Sequence, residues 1–206
     1  MLADLASSIR NWLTAELAAG VDVTFDAPHV LAQHRPSRSG LVDLFLYEVA
    51  ECTDGMPSAP IRVRDDAGHV TGSIAPARFY HLSYLVTAWA GSTEKEYELL
   101  GAVLEGYTEN DMLGTQHLSG VLTVLTSGLT MRLGWSPLAS SHDIWGALGI
   151  PMRTALELTV LAPALPARLR KPAPLVDSVQ LDVHDLVQRE PAQPQPRWRR
   201  TSTTEH

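Results

Sequence analysis

Two stretches rich in β-forming residues decide the fold: LVDLFLYEV at residues 41–49 and FYHLSYLVTAWA at residues 79–90. Apolar residues occupy both alternating positions of the first stretch, which is typical of a strand buried on both faces. In the second stretch Leu82, Tyr84 and Val86 fall on one side, and Leu85 and Trp89 fall on the other. We therefore expect two long strands lying side by side in a sheet.

Helical patterns flank these strands. Apolar residues recur every three or four positions through residues 4–18 and again through residues 97–107. Thr93 and Glu96 precede the second pattern with the spacing of a capping box, so we expect a helix to begin there. Residues 141–149 predict a third, short helix.

Shorter alternating stretches predict additional strands at residues 21–26, 129–133 and 156–160. Residues 62–74 read as a β-hairpin, because a polar turn separates two short strand patterns. The apolar segment 117–125 fits a helix or a strand. Together these patterns predict an α/β (α+β) domain, with a mixed or largely antiparallel sheet flanked by helices.

Charge and proline content divide the chain into two parts. The whole chain has 206 residues, of which 45% are hydrophobic, enough for one sizeable core. Residues 1–166 hold 9 basic and 18 acidic side chains, whereas the remaining residues hold 7 and 5. Half of the 14 prolines lie in residues 163–196. We therefore expect a folded domain at residues 1–163 and an extended Pro-rich C-terminal arm at residues 164–206, partly ordered on assembly.

Composition and motifs argue against several functions. The net charge of −7 provides no overall attraction for nucleic acid or for an anionic membrane. The single cysteine, Cys52, excludes an internal disulfide, and no phosphate-binding loop, HExxH or GxSxG motif is present. We predict a non-enzymatic protein with no cofactor, no metal, no nucleic-acid partner and no membrane span. Because an acid, Asp4, stands where a secretory signal needs a base, we expect a cytoplasmic protein.

Two alternatives remain open at this stage. A small hydrolase or metal enzyme could use His81, His142 and Asp143 if the fold brought them together. A nucleic-acid contact could use the arginines and the tryptophan at residues 197–200. Solvent-exposed or hydrogen-bonded structural roles are the simpler interpretation of these residues, and an anchor for a protein partner is favoured for the tail.

Four segments in the same order resemble one known family. They are LFLYEV at 44–49, YHLSYLVTAWA at 80–90, ELLG at 98–101 and DIWGALGIPMRTALELTV at 143–160. These residues resemble the N-terminal domain of cap proteins, or tail terminators, of phage-tail-like contractile injection systems. The resemblance spans about residues 1–163. It implies an α/β domain without catalytic residues.

The resemblance also implies a function and a set of partners. Such a cap forms a homo-oligomeric ring, typically a hexamer, at the baseplate-distal end of the particle, where it terminates the inner tube and the sheath. The implied partners are other copies of the chain, the inner tube protein and the sheath protein. The particle would be assembled in the cytoplasm and could be released by lysis. An adaptor or baseplate ring of the same particle is the alternative that sequence separates least well.

Two groups of residues are predicted interface residues. A projecting hairpin would face the lumen or the axial side of the ring, and a segment of the arm would add a strand to an exposed sheet edge of a neighbour. The hairpin residues are Arg62, Arg64, Asp65, Asp66 and His69. The arm residues are Val179, Leu181 and Val183 within VDSVQLDVHDLV (176–187), followed by Arg197, Trp198, Arg199 and Arg200.

Overall fold

The computed structural model describes residues 1–33, 38–54, 59–134, 141–166 and 168–171, with only the backbone at 141, 142 and 169. Four helices, nine strands and two 3₁₀ turns lie in this part of the chain. The helices are α1 (Leu2–Glu16), α2 (Pro28–Leu31), α3 (Thr93–Glu109) and α4 (Ser141–Leu148), and the 3₁₀ turns are Thr115–His117 and Gly120–Val124. The strands are β1 (Asp22–Thr24), β2 (Leu41–Cys52), β3 (Ile61–Arg64), β4 (Val70–Ile74), β5 (Arg78–Trp89), β6 (Met112–Leu113), β7 (Leu129–Leu133), β8 (Ala155–Ala164) and β9 (Leu169–Arg170).

Six strands form the main sheet in the order β1-β2-β5-β8-β7-β6. Only β1 and β2 are parallel, and every other neighbouring pair in this sheet is antiparallel. The strands β3, β4 and β9 form a second, antiparallel sheet. The predicted fold class, a largely antiparallel sheet flanked by helices, is confirmed, as is the prediction that β2 and β5 are neighbours.

One face of the main sheet and two helices enclose the core. Leu44 pairs with Val86 and Leu82 pairs with Val160, so these side chains share a face of the sheet. Four buried apolar side chains of α1 belong to the same cluster, together with the residue that follows the helix and three side chains of α3. They are Leu5, Ile9, Trp12 and Leu13 on α1, Leu17 directly after it, and Leu99, Leu100 and Val103 on α3. The amphipathic pattern therefore correctly predicted the buried face of α1. On α3 the prediction was only partly right, because Leu100 is buried whereas Tyr97 and Leu104 of the apolar pattern at 97–107 are 55% and 43% exposed.

The first long strand differs from its prediction. Val42, Asp43 and Leu44 are buried, but from Phe45 onward the strand is mostly half-buried, and Val49 is 48% exposed. Among the described residues β1 pairs only with Leu41, Val42 and Asp43, so the rest of β2 has no strand on that side. The apolar residues at both alternating positions predicted a mostly buried strand, and this holds for residues 42–44 of β2 but not for the rest.

The start of α3 also differs from its prediction. Ser92, not Thr93, is the N-cap residue, and its hydroxyl accepts a hydrogen bond from the backbone N–H of Lys95 at 3.3 Å. Glu96 therefore lies one position too late to complete a capping box. Its carboxylate instead accepts from the backbone N–H of Ala90 and pairs with Arg153. Segment 117–125, which fitted helix or strand, contains a 3₁₀ turn.

Replacing Trp89 by Ala tests this packing. The Trp89 side chain is 6% exposed, its indole N–H donates to the Thr87 hydroxyl at 2.9 Å, and the Arg153 guanidinium lies 4.2 Å from its ring. We expect a loss of about 3–5 kcal/mol in the free energy of unfolding, measured by chemical denaturation. The control Val124→Ala, at a position 69% exposed, should change it by less than about 0.5 kcal/mol. A loss below about 1 kcal/mol for Trp89→Ala would contradict the packing described.

Candidate interaction surfaces

The predicted hairpin is present and projects its polar turn into solvent. One Asp65 carboxylate oxygen accepts from the backbone N–H groups of Ala67 and His69, at 3.0 and 2.8 Å. Gly68 adopts a φ of +84°, and the Arg64 guanidinium donates to its carbonyl at 2.7 Å. The side chains of all five predicted hairpin residues are exposed, including those of Arg62 and Asp66. The turn is thus a preformed, exposed structure, as a contact surface requires.

The predicted arm residues lie outside the described part of the chain. This applies to Val179, Leu181 and Val183 and to residues 197–200. Their proposed contacts with partners remain predictions.

Two of the residues considered for catalysis have described side chains, and they lie on different elements. His81 is exposed on β5, opposite Leu161 of β8, and Asp143 belongs to α4. The side chain of His142 is outside the described atoms. Within the described residues, no group of three or more His, Cys, Asp or Glu side chains could hold a metal ion. None of the described helices is long and apolar enough to cross a membrane.

An open, mainly apolar groove of about 420 Å³ lies between α3, α4 and the ends of β7 and β8. Leu104 and Tyr107 of α3 line it together with Ile144 of α4, and Glu157 of β8 also borders it. The Tyr47 hydroxyl donates to the Glu157 carboxylate. Burial and this carboxylate raise the pKa of Tyr47, so the phenol stays protonated.

A buried carboxylate joins the short edge strand β1 to β2. Asp43 is fully buried, and one of its oxygens accepts from the Thr24 hydroxyl at 2.8 Å and from the Asp26 backbone N–H at 2.9 Å. Among the residues that the structure describes, the other carboxylate oxygen is buried without a hydrogen-bond partner. Burial raises the pKa of Asp43 to about 6, although the two hydrogen bonds oppose the shift.

Two surfaces of opposite charge were missed by the sequence analysis. The strands of the second sheet carry Arg62, Arg64 and Arg170 and no acidic residue. By contrast, α3 carries five glutamates and one lysine. The acidic surface of α3 could have been found in the sequence, since glutamates recur along the strongly helical pattern that Gly101 interrupts.

A comparison with known protein families shows the class of protein to which the chain belongs. Residues 4–178 match the family model described as the Pvc16 N-terminal domain, and the chain belongs to that family. The resemblance found in the sequence is thereby confirmed. No curated protein matches the chain significantly.

Two solved structures share the fold. One is the PVC sheath/tube terminator of an extracellular contractile injection system in the extended state, with a TM-score of 0.57 and 21% identity. The other is the tube-terminating cap of the anti-feeding prophage, with a TM-score of 0.59 and 18% identity. The matches cover 91% and 89% of this chain, but only 66% and 62% of those chains. The chain thus spans slightly less than two thirds of the length of each relative.

The buried carboxyl group makes a prediction about pH. Since the folded-state pKa of Asp43 is raised from 3.8 to about 6, the folded state holds this proton more tightly than the unfolded state. The stabilising effect is fully present below about pH 4 and is lost as pH rises to about 6. As pH rises across this window, the free energy of unfolding of wild type should therefore fall by about 3 kcal/mol relative to that of Asp43→Asn. Chemical denaturation of both proteins measures this difference.

Above about pH 7 the difference between the two proteins should be constant, because Asp43 is then ionised in both states. Other carboxyl groups cancel in the comparison, and Glu105→Gln, which changes an exposed carboxyl group, serves as the control. A difference that stays flat between pH 4 and pH 7 would show that Asp43 titrates normally.

Proposed function

We propose that this chain is a structural cap of a contractile injection particle. It closes the baseplate-distal end and terminates the inner tube and the sheath, and it acts by surface contacts without catalysis. The observation that carries the proposal is the shared fold, which extends over 91% and 89% of this chain in two terminators of such particles. Membership in the Pvc16 N-terminal domain family supports it independently of the structure comparison.

The cap works as a homo-oligomeric ring, with a hexamer as the expected form. A ring matches the rotational symmetry of a stack of tube and sheath rings, and each copy then makes equivalent contacts with its neighbours. The exposed turn at Asp65–His69 contacts the inner tube protein, because it is rigidly hydrogen-bonded and projects from the second sheet. Residues 176–187 of the arm contact a neighbouring subunit or the sheath protein by strand addition.

The described structure offers a place for such an added strand. Leu44 to Cys52 of β2 have no described strand partner on the side facing β1. Backbone N–H and C=O groups along such an edge can pair with an incoming strand. The cap is made and assembled in the cytoplasm with the rest of the particle, which is then available for release by lysis.

Removing the protein from a producing cell tests the cap function directly. Particles made without it should lose their uniform length, or lose sheath from the end opposite the spike, when purified and viewed by electron microscopy. Supplying the wild-type chain should restore both properties. A tagged chain found at the spike end, together with unchanged particle length in its absence, would instead establish an adaptor or baseplate ring.

Truncation tests the role of the arm. Because β9 pairs with β4, a truncation that preserves the second sheet must retain Leu169 and Arg170. We expect a chain lacking residues 173–206 to keep the melting temperature of the full chain within about 3 °C, since its core is retained. We also expect it to bind particles at least about tenfold more weakly, measured by co-sedimentation. Normal particle binding by this truncated chain would show that the arm is dispensable.

A further inference from the structure

Two exposed surfaces of this chain have complementary charge and chemistry. The basic sheet is β3, β4 and β9, and the α3 outer face is the exposed side of α3 around Tyr97, Gly101 and Leu104. We propose that the basic sheet of one copy docks on the α3 outer face of the next copy, forming the head-to-tail interface of the ring. This inference rests on the proposed function, because it assigns the contact that would close the ring.

The basic sheet presents a row of arginines on one face. Arg62 pairs with Ser73 and Ser73 pairs with Arg170, so the two arginines flank Ser73 on the same face. Both side chains are exposed, and so are those of Arg168 and Lys171 on either side of β9. None of these four cations takes part in an ion pair within the described residues. The row is therefore free to bind anionic groups of a partner.

The α3 outer face combines an apolar stripe with a row of acids. Tyr97, Gly101 and Leu104 follow at spacings of four and three, which places them on one side of the helix. Tyr97 is 55% exposed and Leu104 is 43% exposed. Beside this stripe runs an exposed acidic row made up of Glu94, Glu98, Glu105 and Glu109.

The chemistry of the two surfaces is complementary. Arginine stems cover apolar surface while their guanidinium groups pair with carboxylates, and an arginine over a tyrosine ring gains a cation–π contact. Tyr97 is the one aromatic side chain among the described residues that is exposed. Arginine and tyrosine are also the residue types most enriched where protein interfaces hold their binding energy.

Gly101 provides an observation independent of charge. Glycine in the middle of a helix costs stability relative to alanine, so its presence calls for a cause. The second mid-helix glycine of α3, Gly106, has one within the chain, since an added Cβ would lie 2.8 Å from Glu16 Cγ. At Gly101 an added Cβ would meet nothing within 4 Å, and φ there is not positive. A partner that packs closely against the helix backbone at Gly101 would explain why a glycine stands there.

The arrangement of the two surfaces favours a neighbouring copy over contact within one chain. The basic sheet precedes β5, whose twelve residues span about 35–40 Å, and the N-terminus of α3 follows its far end. Two different surfaces that bind each other between copies form a heterologous interface, and such interfaces generate rings when the rotation closes. An isologous dimer would require both surfaces to lie within one patch, because each would have to meet the other twice across a two-fold axis, and their separation along β5 opposes this.

Charge reversal on each surface tests the proposal. The sheet variant is Arg62→Glu with Arg170→Glu, and the helix variant is Glu98→Arg with Glu105→Arg. Each variant alone presents like charges at every interface, so we expect its self-association constant, measured by light scattering in low salt, to weaken at least about tenfold. In an equimolar mixture the two variants can alternate around a ring with complementary charges at every contact. The mixture should therefore assemble to within about threefold of wild type.

A matched control and a second variant keep the test independent of folding. Arg38→Glu with Arg132→Glu makes the same change in net charge as the sheet variant, at exposed sites elsewhere, and it should assemble like wild type. Gly101→Gln should melt at or above the wild-type temperature, because glutamine favours a helix and has space there. It should still weaken assembly at least about tenfold, whereas Thr14→Gln on the exposed side of α1 should not.

The outcomes separate this inference from the proposed function. If wild type forms rings and all of these variants do so equally well, the docking of sheet on helix is wrong, while the cap function stands. If each charge variant fails alone and the mixture also fails, the two surfaces do not contact each other, and the proposal is overturned. If wild type forms no ring alone or on particles, the ring itself is wrong.

Discussion

Burial of one face of the β2–β5–β8 sheet beneath α1 and α3 is the constraint on which the rest of the structure depends. Because side chains alternate across a strand, a shift of one residue would turn Leu44, Leu82 and Tyr84 away from the helices. The same burial fixes the positions of the two helices, because their apolar stripes are removed from water only when they pack on the sheet.

The long periodic elements were the most predictable from sequence, and the reason is energetic. The four buried apolar positions along α1 and the alternating residues along β5 each bury enough surface to determine the local structure. By contrast β9 has only two residues, and its strand depends on pairing with β4. The β-bulge around Tyr47 likewise depends on tertiary structure, because it is a shift in the pairing of β2 with β5 between Leu46 and Glu48.

The candidate surfaces were only partly predictable, for a related reason. The hairpin was visible because its turn residues, Asp65 and Gly68, act locally through hydrogen bonds and φ. The basic sheet was not visible, since Arg62 and Arg170 lie far apart in sequence and meet only through Ser73 of β4. The overall charge of −7 concealed this small basic surface, and a net charge reports nothing about how charges are distributed.

Burying the Asp43 carboxylate lowers the stability of the domain, and its role in fixing the register of β1 explains why it is there. A three-residue parallel strand has little pairing energy of its own, and slippage by one residue would exchange its inward and outward side chains. Only the observed register brings both the Thr24 hydroxyl and the Asp26 N–H to the buried carboxylate. A slipped β1 would leave that carboxylate buried with neither partner, which is more costly than the pairing it could gain. The charge thus destabilises the domain as a whole while selecting one arrangement of its edge, and that edge lies beside the part of β2 that has no described strand partner.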